Sequence, residues 1–414
     1  MFGINLVILQ AKLVAMKTSV ILLAGIFFTY VGVSQTDKAV LTFAQSIEHE
    51  KKSEFLPAIE TMKTLSDSTS YEVVLRLGWL NYKAGFSQKA LSYYKKAIES
   101  KPTAIEPRYG FGFPSYFLAD FPSLIEQDKK ILEIDPNNKT INGNLGSIFF
   151  YKKEYTLALP YFEKVVNLYP FDYDNNLYLA WTYLYLGRSG EAEKYFNVVL
   201  LYSPKDKSAQ DGLTAIKKTS LSNEKVLNAF SRSYELSEKS DYKGAINALK
   251  EVYDKSSYEF NLRLGWLSYL AGMQIESVAY YKIANELKPN AVEPKLGAVY
   301  PAAALGNKTD VKNYYESILK LDPHNTNAHY NLGLLDYGKK DYTMALIHFE
   351  KVISLYPSDT DGLLMLGWTK LQLLKTTESK ELFNRVLCFS PNNESALLGL
   401  KSKPESEMKK KTGF

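Results

Sequence analysis

A catalytic or metal site in this chain of 414 residues would have to be built from four histidines, one cysteine and the acidic side chains. The histidines are His49, His324, His329 and His348, and no two stand at the i, i+4 spacing that puts a pair of ligands on one helix face. His329 and His348 fall on separate helices of one sequence block and could meet there. With no cysteine or carboxylate pair beside them they read as structural. Cys388 is alone, so no intramolecular disulfide forms, and no cysteine follows the apolar N-terminal run to carry a lipid. Neither a Gly-rich phosphate loop nor a G-x-S-x-G elbow is present. These residues predict no catalytic residue, no metal and no cofactor: a non-enzymatic chain.

The residue types that remain are aromatic, with 4 Trp, 31 Tyr and 21 Phe. Such side chains join a large apolar area to a polar tip and dominate binding hot spots. Their chemistry is recognition, and the elements that position them follow from the prolines. Pro102, Pro136, Pro170 and Pro204 recur with a period of 34, and Pro289, Pro323, Pro357 and Pro391 keep the same period. A fixed period of this length marks stacked helical hairpins. Each block holds two amphipathic helices, and the proline closes the second because it lacks an N–H and disfavours helix for the residue before it.

With each proline placed at position 32 of its block, small residues recur at position 8 (Gly78, Gly112, Gly146, Ala180). Alanines recur at 20 (Ala90, Ala158, Ala192, Ala345) and aromatics at 24 (Tyr94, Phe162, Phe196, Phe349, Phe383). The pattern resembles the tetratricopeptide repeat, which implies an all-α fold, a superhelical solenoid of hairpins.

The whole array is duplicated. Trp266, Pro294, Asp322, Tyr342 and Trp368 repeat Trp79, Pro107, Asp135, Tyr155 and Trp181 at a constant offset of 187 in the numbering, and Leu75–Leu80 returns as Leu262–Leu267. Five blocks fit into that offset with half a block left over, the length of one helix, so each half is expected to be five hairpins and a capping helix. The first array spans 37–218, its cap about Lys207 to Lys218. A loop follows at 219–223, and the second array spans 224–402 with a cap beginning near Glu394. The opening hairpins, near Val40–Tyr71 and Leu227–Tyr258, lack the closing proline.

The resemblance implies that the first helix of each block lines a concave face, with positions 2, 5, 9 and 12 turned into it. The candidate ligand groove is therefore Trp79, Tyr82, Tyr109, Phe113, Tyr116, Asn144 and Trp181 in the first half. In the second it is Trp266, Tyr269, Tyr300, Asn331, Tyr337 and Trp368. Two alternatives stand side by side for the tryptophans: groove residues, or packing residues covered by the next block. Asn144 and Asn331 match one position of the clamp that grips a C-terminal carboxylate in some members. Tyr109 and Phe113 before Asn144, and Asp174 and Tyr178 after it, do not match, so that mode is not expected.

Residues 1–34 read as a signal peptide whose true start is Met16, with Lys17, an apolar run from Val20 to Val33 and a cleavage site before Gln35. The alternative is an uncleaved anchor, the only reading that brings membrane contact. An exported protein, periplasmic or secreted, is expected. A net charge of +5 spread along helix faces gives no reason to expect nucleic acid. The tail 403–414, with Lys409–Lys411, reads as a solvated, disordered end. The expected function is a protein-interaction scaffold of the cell envelope holding an extended peptide or helix of a protein partner. The alternative is a binder of glycan or peptidoglycan stacked on the groove aromatics.

Overall fold

The structure, a computed structural model, describes residues 35–65, 70–216 and 224–404. The expected signal segment, the loop 219–223 and residues 405–414 of the tail lie outside the described residues. The chain divides into two units, residues 1–38 and 39–414; of the first, only residues 35–38, in the opening helix, are described.

Among the described residues there are 22 helices and no strand. The first array is α1 (Gln35–Lys51), α2 (Phe55–Lys63), α3 (Tyr71–Lys83), α4 (Ser87–Ser100), α5 (Glu106–Phe117), α6 (Phe121–Ile134), α7 (Lys139–Tyr151), α8 (Tyr155–Leu168), α9 (Tyr173–Tyr185), α10 (Ser189–Tyr202) and α11 (Lys207–Ala215). The second is α12 (Glu224–Glu238), α13 (Tyr242–Lys250), α14 (Tyr258–Leu270), α15 (Gln274–Leu287), α16 (Glu293–Ala304), α17 (Lys308–Leu321), α18 (Thr326–Gly338), α19 (Tyr342–Leu355), α20 (Thr360–Gln372), α21 (Thr376–Phe389) and α22 (Glu394–Lys401). Helices α2–α10 return as α13–α21 with both ends moved by the same offset that relates the two halves of the sequence. The odd helix α11 stops at Ala215, three residues short of the expected Lys218.

Each repeat junction is written in three residues. The residue before the proline leaves the helix for an extended conformation, as Asp135 (φ −130°, ψ 85°) and Tyr169 (φ −130°, ψ 75°) do. Two residues after the proline an Asn or Asp caps the next helix, except after Pro102 and Pro289, where Ala104 and Ala291 stand and α5 and α16 begin without a side-chain cap. Asn138 accepts from Ile141 N at 3.1 Å, Asp172 from Asn175 N at 2.9 Å, and Asn325 from Ala328 N at 3.0 Å. Between junctions the aromatic ring of the second helix fills the crossing. Phe162 is wholly buried against Gly146, where an added Cβ would lie 2.6 Å from the ring. Glycine is required there because nothing larger lets the two helices approach.

The sequence leaves open whether the two arrays run on as one, and the structure answers with two kinds of contact. Tyr202 of α10 meets Tyr234 of α12 at 5.9 Å, so the last hairpin of the first array packs on the first hairpin of the second. The reverse contact also forms, Phe389 of α21 meeting Phe43 of α1 at 5.8 Å. The edges carrying the repeat junctions pair antiparallel. Ile105 N donates to Leu355 O, and Val292 N to Leu168 O, both at 2.8 Å. Each of these bonds becomes the other when 187 is added to one residue and subtracted from its partner, so the two arrays are related by a pseudo-twofold. Glu106 accepts from Ser358 N at 3.0 Å and Tyr71 OH at 2.8 Å, and its counterpart Glu293 from Phe171 N at 3.1 Å and Tyr258 OH at 2.9 Å. Arg385 donates to Glu72 Oε1 at 2.8 Å and closes one end of the seam.

Candidate functional site

The candidate groove residues lie on the first helices of the blocks. On them the structure gathers two matching aromatic trios. In the first array Tyr82 and Phe113 stack at 5.8 Å with an interplanar angle of 28°, and Trp79 stands edge-on to Phe113 at 6.5 Å. In the second, Trp266, Tyr269 and Tyr300 repeat the trio, with Tyr269 and Tyr300 5.6 Å apart and Trp266 edge-on to Tyr300 at 6.2 Å. Phe113 and Tyr300 are about half exposed, at 49% and 48%, so each trio has one ring open to solvent over two that support it. Trp79 is fixed from behind: its Nε1 donates to Glu50 Oε1 at 2.6 Å, and Lys83 Nζ lies 5.5 Å from its ring. Tyr116, exposed, extends the first trio and rests edge-on against Phe121 at 6.0 Å.

The other expected groove residues are placed differently. Trp181 and Trp368 are half-buried beside the capping helices. Trp181 Nε1 donates to Ser208 Oγ at 2.9 Å with its ring edge-on to the buried Phe196, and Trp368 repeats this with Ser395 and Phe383. Both tryptophans hold a capping helix, and Trp181 also stacks on the exposed Tyr185 at 5.6 Å. Tyr109 also packs inward: its OH donates to Asn138 Oδ1 at 3.2 Å, and burial pushes its phenol up to about 12. Tyr337 is half-buried, edge-on to Tyr342 at 5.2 Å. Asn144 is exposed, and Asn331 Nδ2 donates to Asn327 O at 2.8 Å. The two asparagines sit on different arrays and share no site.

Sequence reasoning overlooked position 13 of the blocks. Phe117, Tyr151 and Tyr185 are exposed there, at the ends of α5, α7 and α9. Tyr185 stacks on Tyr155 at 4.6 Å, and Tyr151 and Tyr178 share a hydroxyl hydrogen bond of 2.7 Å. The corresponding residues of the second array are Ala304, Gly338 and Gln372. That contrast is visible in the sequence once the halves are laid side by side, and it makes the first array the more aromatic of the two.

His329 and His348 do meet, Nδ1 to Nδ1 at 3.0 Å, while His329 Nε2 lies 3.0 Å from Pro323 O. Burial holds both imidazoles below their ordinary range. Among the described residues no group of three or more His, Cys, Asp or Glu side chains is placed to hold a metal. Cys388 is buried and its thiol is pushed up to about 12 by burial, which keeps it protonated and unreactive.

Residues 140–172 and 326–359 each match the tetratricopeptide repeat family. A tetratricopeptide-repeat-containing protein of Methanocaldococcus jannaschii is 24% identical over 320 residues, which are 66% of this chain and 54% of that protein. This chain therefore spans about half the length of that relative. Among solved structures, MamA protein is similar over 45% of this chain and 97% of its own, with 20% identity and a TM-score of 0.36. A complex of Naa15 and Naa10 bound to HypK is similar over 88% of this chain and 70% of its own, with 14% identity and a TM-score of 0.33.

Proposed function

This chain is a tetratricopeptide-repeat protein, and we propose that it acts as a non-enzymatic scaffold of the cell envelope, holding an extended or helical segment of a protein partner against its aromatic faces. The observation that carries this reading is the pair of trios, Trp79–Tyr82–Phe113 and Trp266–Tyr269–Tyr300, each with one half-exposed ring over two supporting ones. An anchor backed by rigid neighbours is what a binding hot spot requires. Two such faces on one chain raise avidity through effective concentration, with no new contact.

The test uses residues 35–414 as bait in envelope extract, beside a variant carrying Phe113→Ser, Tyr116→Ser and Tyr300→Ser. These side chains are exposed, so the variant keeps its helical circular dichroism. A partner retained by the wild type and lost by the variant supports the reading; equal recovery removes it. Capture of glycan polymer rather than protein would favour a carbohydrate ligand on the same rings. Export rests on Lys17 and the apolar run from Val20 to Val33. Mass spectrometry of the N-terminal peptide of the mature protein is expected to show a start at Gln35, as glutamine or as its cyclised pyroglutamate, and a start at Met1 or Met16 refutes cleavage.

A further inference from the structure

A cavity of about 340 Å³ opens on the second array where the start of α18 meets the end of α19 and the start of α20. Thr326, Tyr330, Tyr356, Asp359 and Asp361 line it. The same place in the first array, reached by the offset between the halves, carries Lys139, Gly143, Tyr169, Asp172 and Asp174. One ring, Tyr356 for Tyr169, and both carboxylates are kept between the halves, while Lys139 is exchanged for Thr326 and Gly143 for Tyr330.

In the first array the lysine shows what that place holds. Lys139 Nζ is 2.6 Å from Asp172 Oδ2 and 4.7 Å from the centre of the Tyr169 ring. One ammonium thus satisfies a carboxylate and an aromatic face together. Burial pushes the Asp172 carboxyl up, yet Lys139 outweighs it and leaves the group below its usual range. In the second array the corresponding carboxyl has no such partner. Burial raises Asp359, and the like charge of Asp361 raises it further. Among the described residues neither Asp359 nor Asp361 forms an ion pair. Glu106, reaching across the seam, is raised by burial and also feels Asp359. Tyr356 packs across the same seam against the core of the first array.

We propose that this cavity binds a primary ammonium group, the lysine side chain of a partner peptide, seated against Asp359 and Tyr356 as Lys139 is seated against Asp172 and Tyr169. The site is narrow in chemistry: two carboxylates and two rings, Tyr330 and Tyr356, suit an ammonium, whereas a divalent cation asks for more oxygen ligands than are assembled there. The peptide source of the lysine rests on the scaffold reading above; the preference for an ammonium does not.

The full chain is titrated by saturation-transfer NMR with n-butylammonium and with neutral n-butanol, then with the peptide acetyl-Gly-Lys-Gly-amide and its Nε-acetylated form. Binding of the two cationic probes over the two neutral ones is expected, with at least about a tenfold loss in Asp359→Asn and in Thr326→Lys. Asparagine caps a helix as well as aspartate does, so Asp359→Asn keeps α20, and Thr326→Lys supplies the first array's own ammonium. Equal signals from charged and neutral probes, unchanged binding in both variants, or calcium binding in place of the amine would overturn the assignment. Binding of n-butylammonium without the lysyl peptide overturns the peptide source and leaves a small-amine site. Phe113→Ser and Tyr300→Ser should leave butylammonium binding intact, so failure of the aromatic faces and failure of this cavity are read separately.

Discussion

Asp128 stands at position 24 of its block, where Tyr94, Phe162, Phe196, Tyr281, Tyr315, Phe349 and Phe383 stand in the others. It is 3% exposed, Oδ2 has no hydrogen-bond partner, and burial pushes the carboxyl up to about 7. A carboxyl raised in the folded state keeps a proton that the unfolded chain releases, so its contribution is whole below the ordinary 3.8 and is lost as pH rises through 7. Asp128→Tyr, the residue its counterpart Tyr315 already uses, is expected to raise the stability measured by urea unfolding at pH 8 by about 2–4 kcal/mol and far less at pH 4. A gain independent of pH would show that the charge is not the cause. Residue types alone revealed which aromatics exist but not which are covered. Trp79 and Trp181 share position 9, yet the indole of Trp79 donates to Glu50 of the opening helix and that of Trp181 to Ser208 of a capping helix, partners that lie outside their own blocks.

The helical hairpin was the most legible element, because its junction is local: proline, then an Asn or Asp two residues on, then a small residue at position 8. What that small residue must be is set by the ring it faces. Gly146→Ala puts a Cβ 2.6 Å from Phe162 between two helices that cannot part without disturbing the next block. A loss of about 1–3 kcal/mol is expected from overpacking. Gly190, in the first turn of α10, has open space around its Cβ, so Gly190→Ala is expected to be neutral or to gain up to about 1 kcal/mol from helix propensity. Thermal melts followed by circular dichroism compare the two; equal effects would mean that helix crossing does not govern the choice of glycine.

At the scale of the whole molecule, the sequence carried the offset of 187 but not the seam it produces. The seam joins backbone groups of Ile105, Leu168, Val292 and Leu355, two glutamates and the Arg385–Glu72 pair, and the repeat period does not tell which of the residues at these positions reach the other array. Position 2 of the block invites a simple reading, an acid complementing its own helix dipole. Glu106 and Glu293 do sit there, yet each reaches the other array. Burial pushes Glu293 up to about 7, against hydrogen bonds from Tyr258 OH and Phe171 N and the field of Lys139, with Asp172 adding to the rise. Glu106 is raised for the same first reason. The folded chain therefore holds protons at the seam that the unfolded chain gives up above the ordinary 4.5, and the two arrays are held best below that pH and progressively less as pH rises through 7. Glu293→Gln keeps an oxygen for Tyr258 and Phe171 but removes the ionisation. Its stability in urea should match the wild type near pH 5 and exceed it at pH 8, by at most about 3 kcal/mol. If Glu293 is instead ionised and held by its two donors, the variant will be the weaker protein at pH 8. The sign of that single difference decides whether the seam is joined by a proton or by a charge.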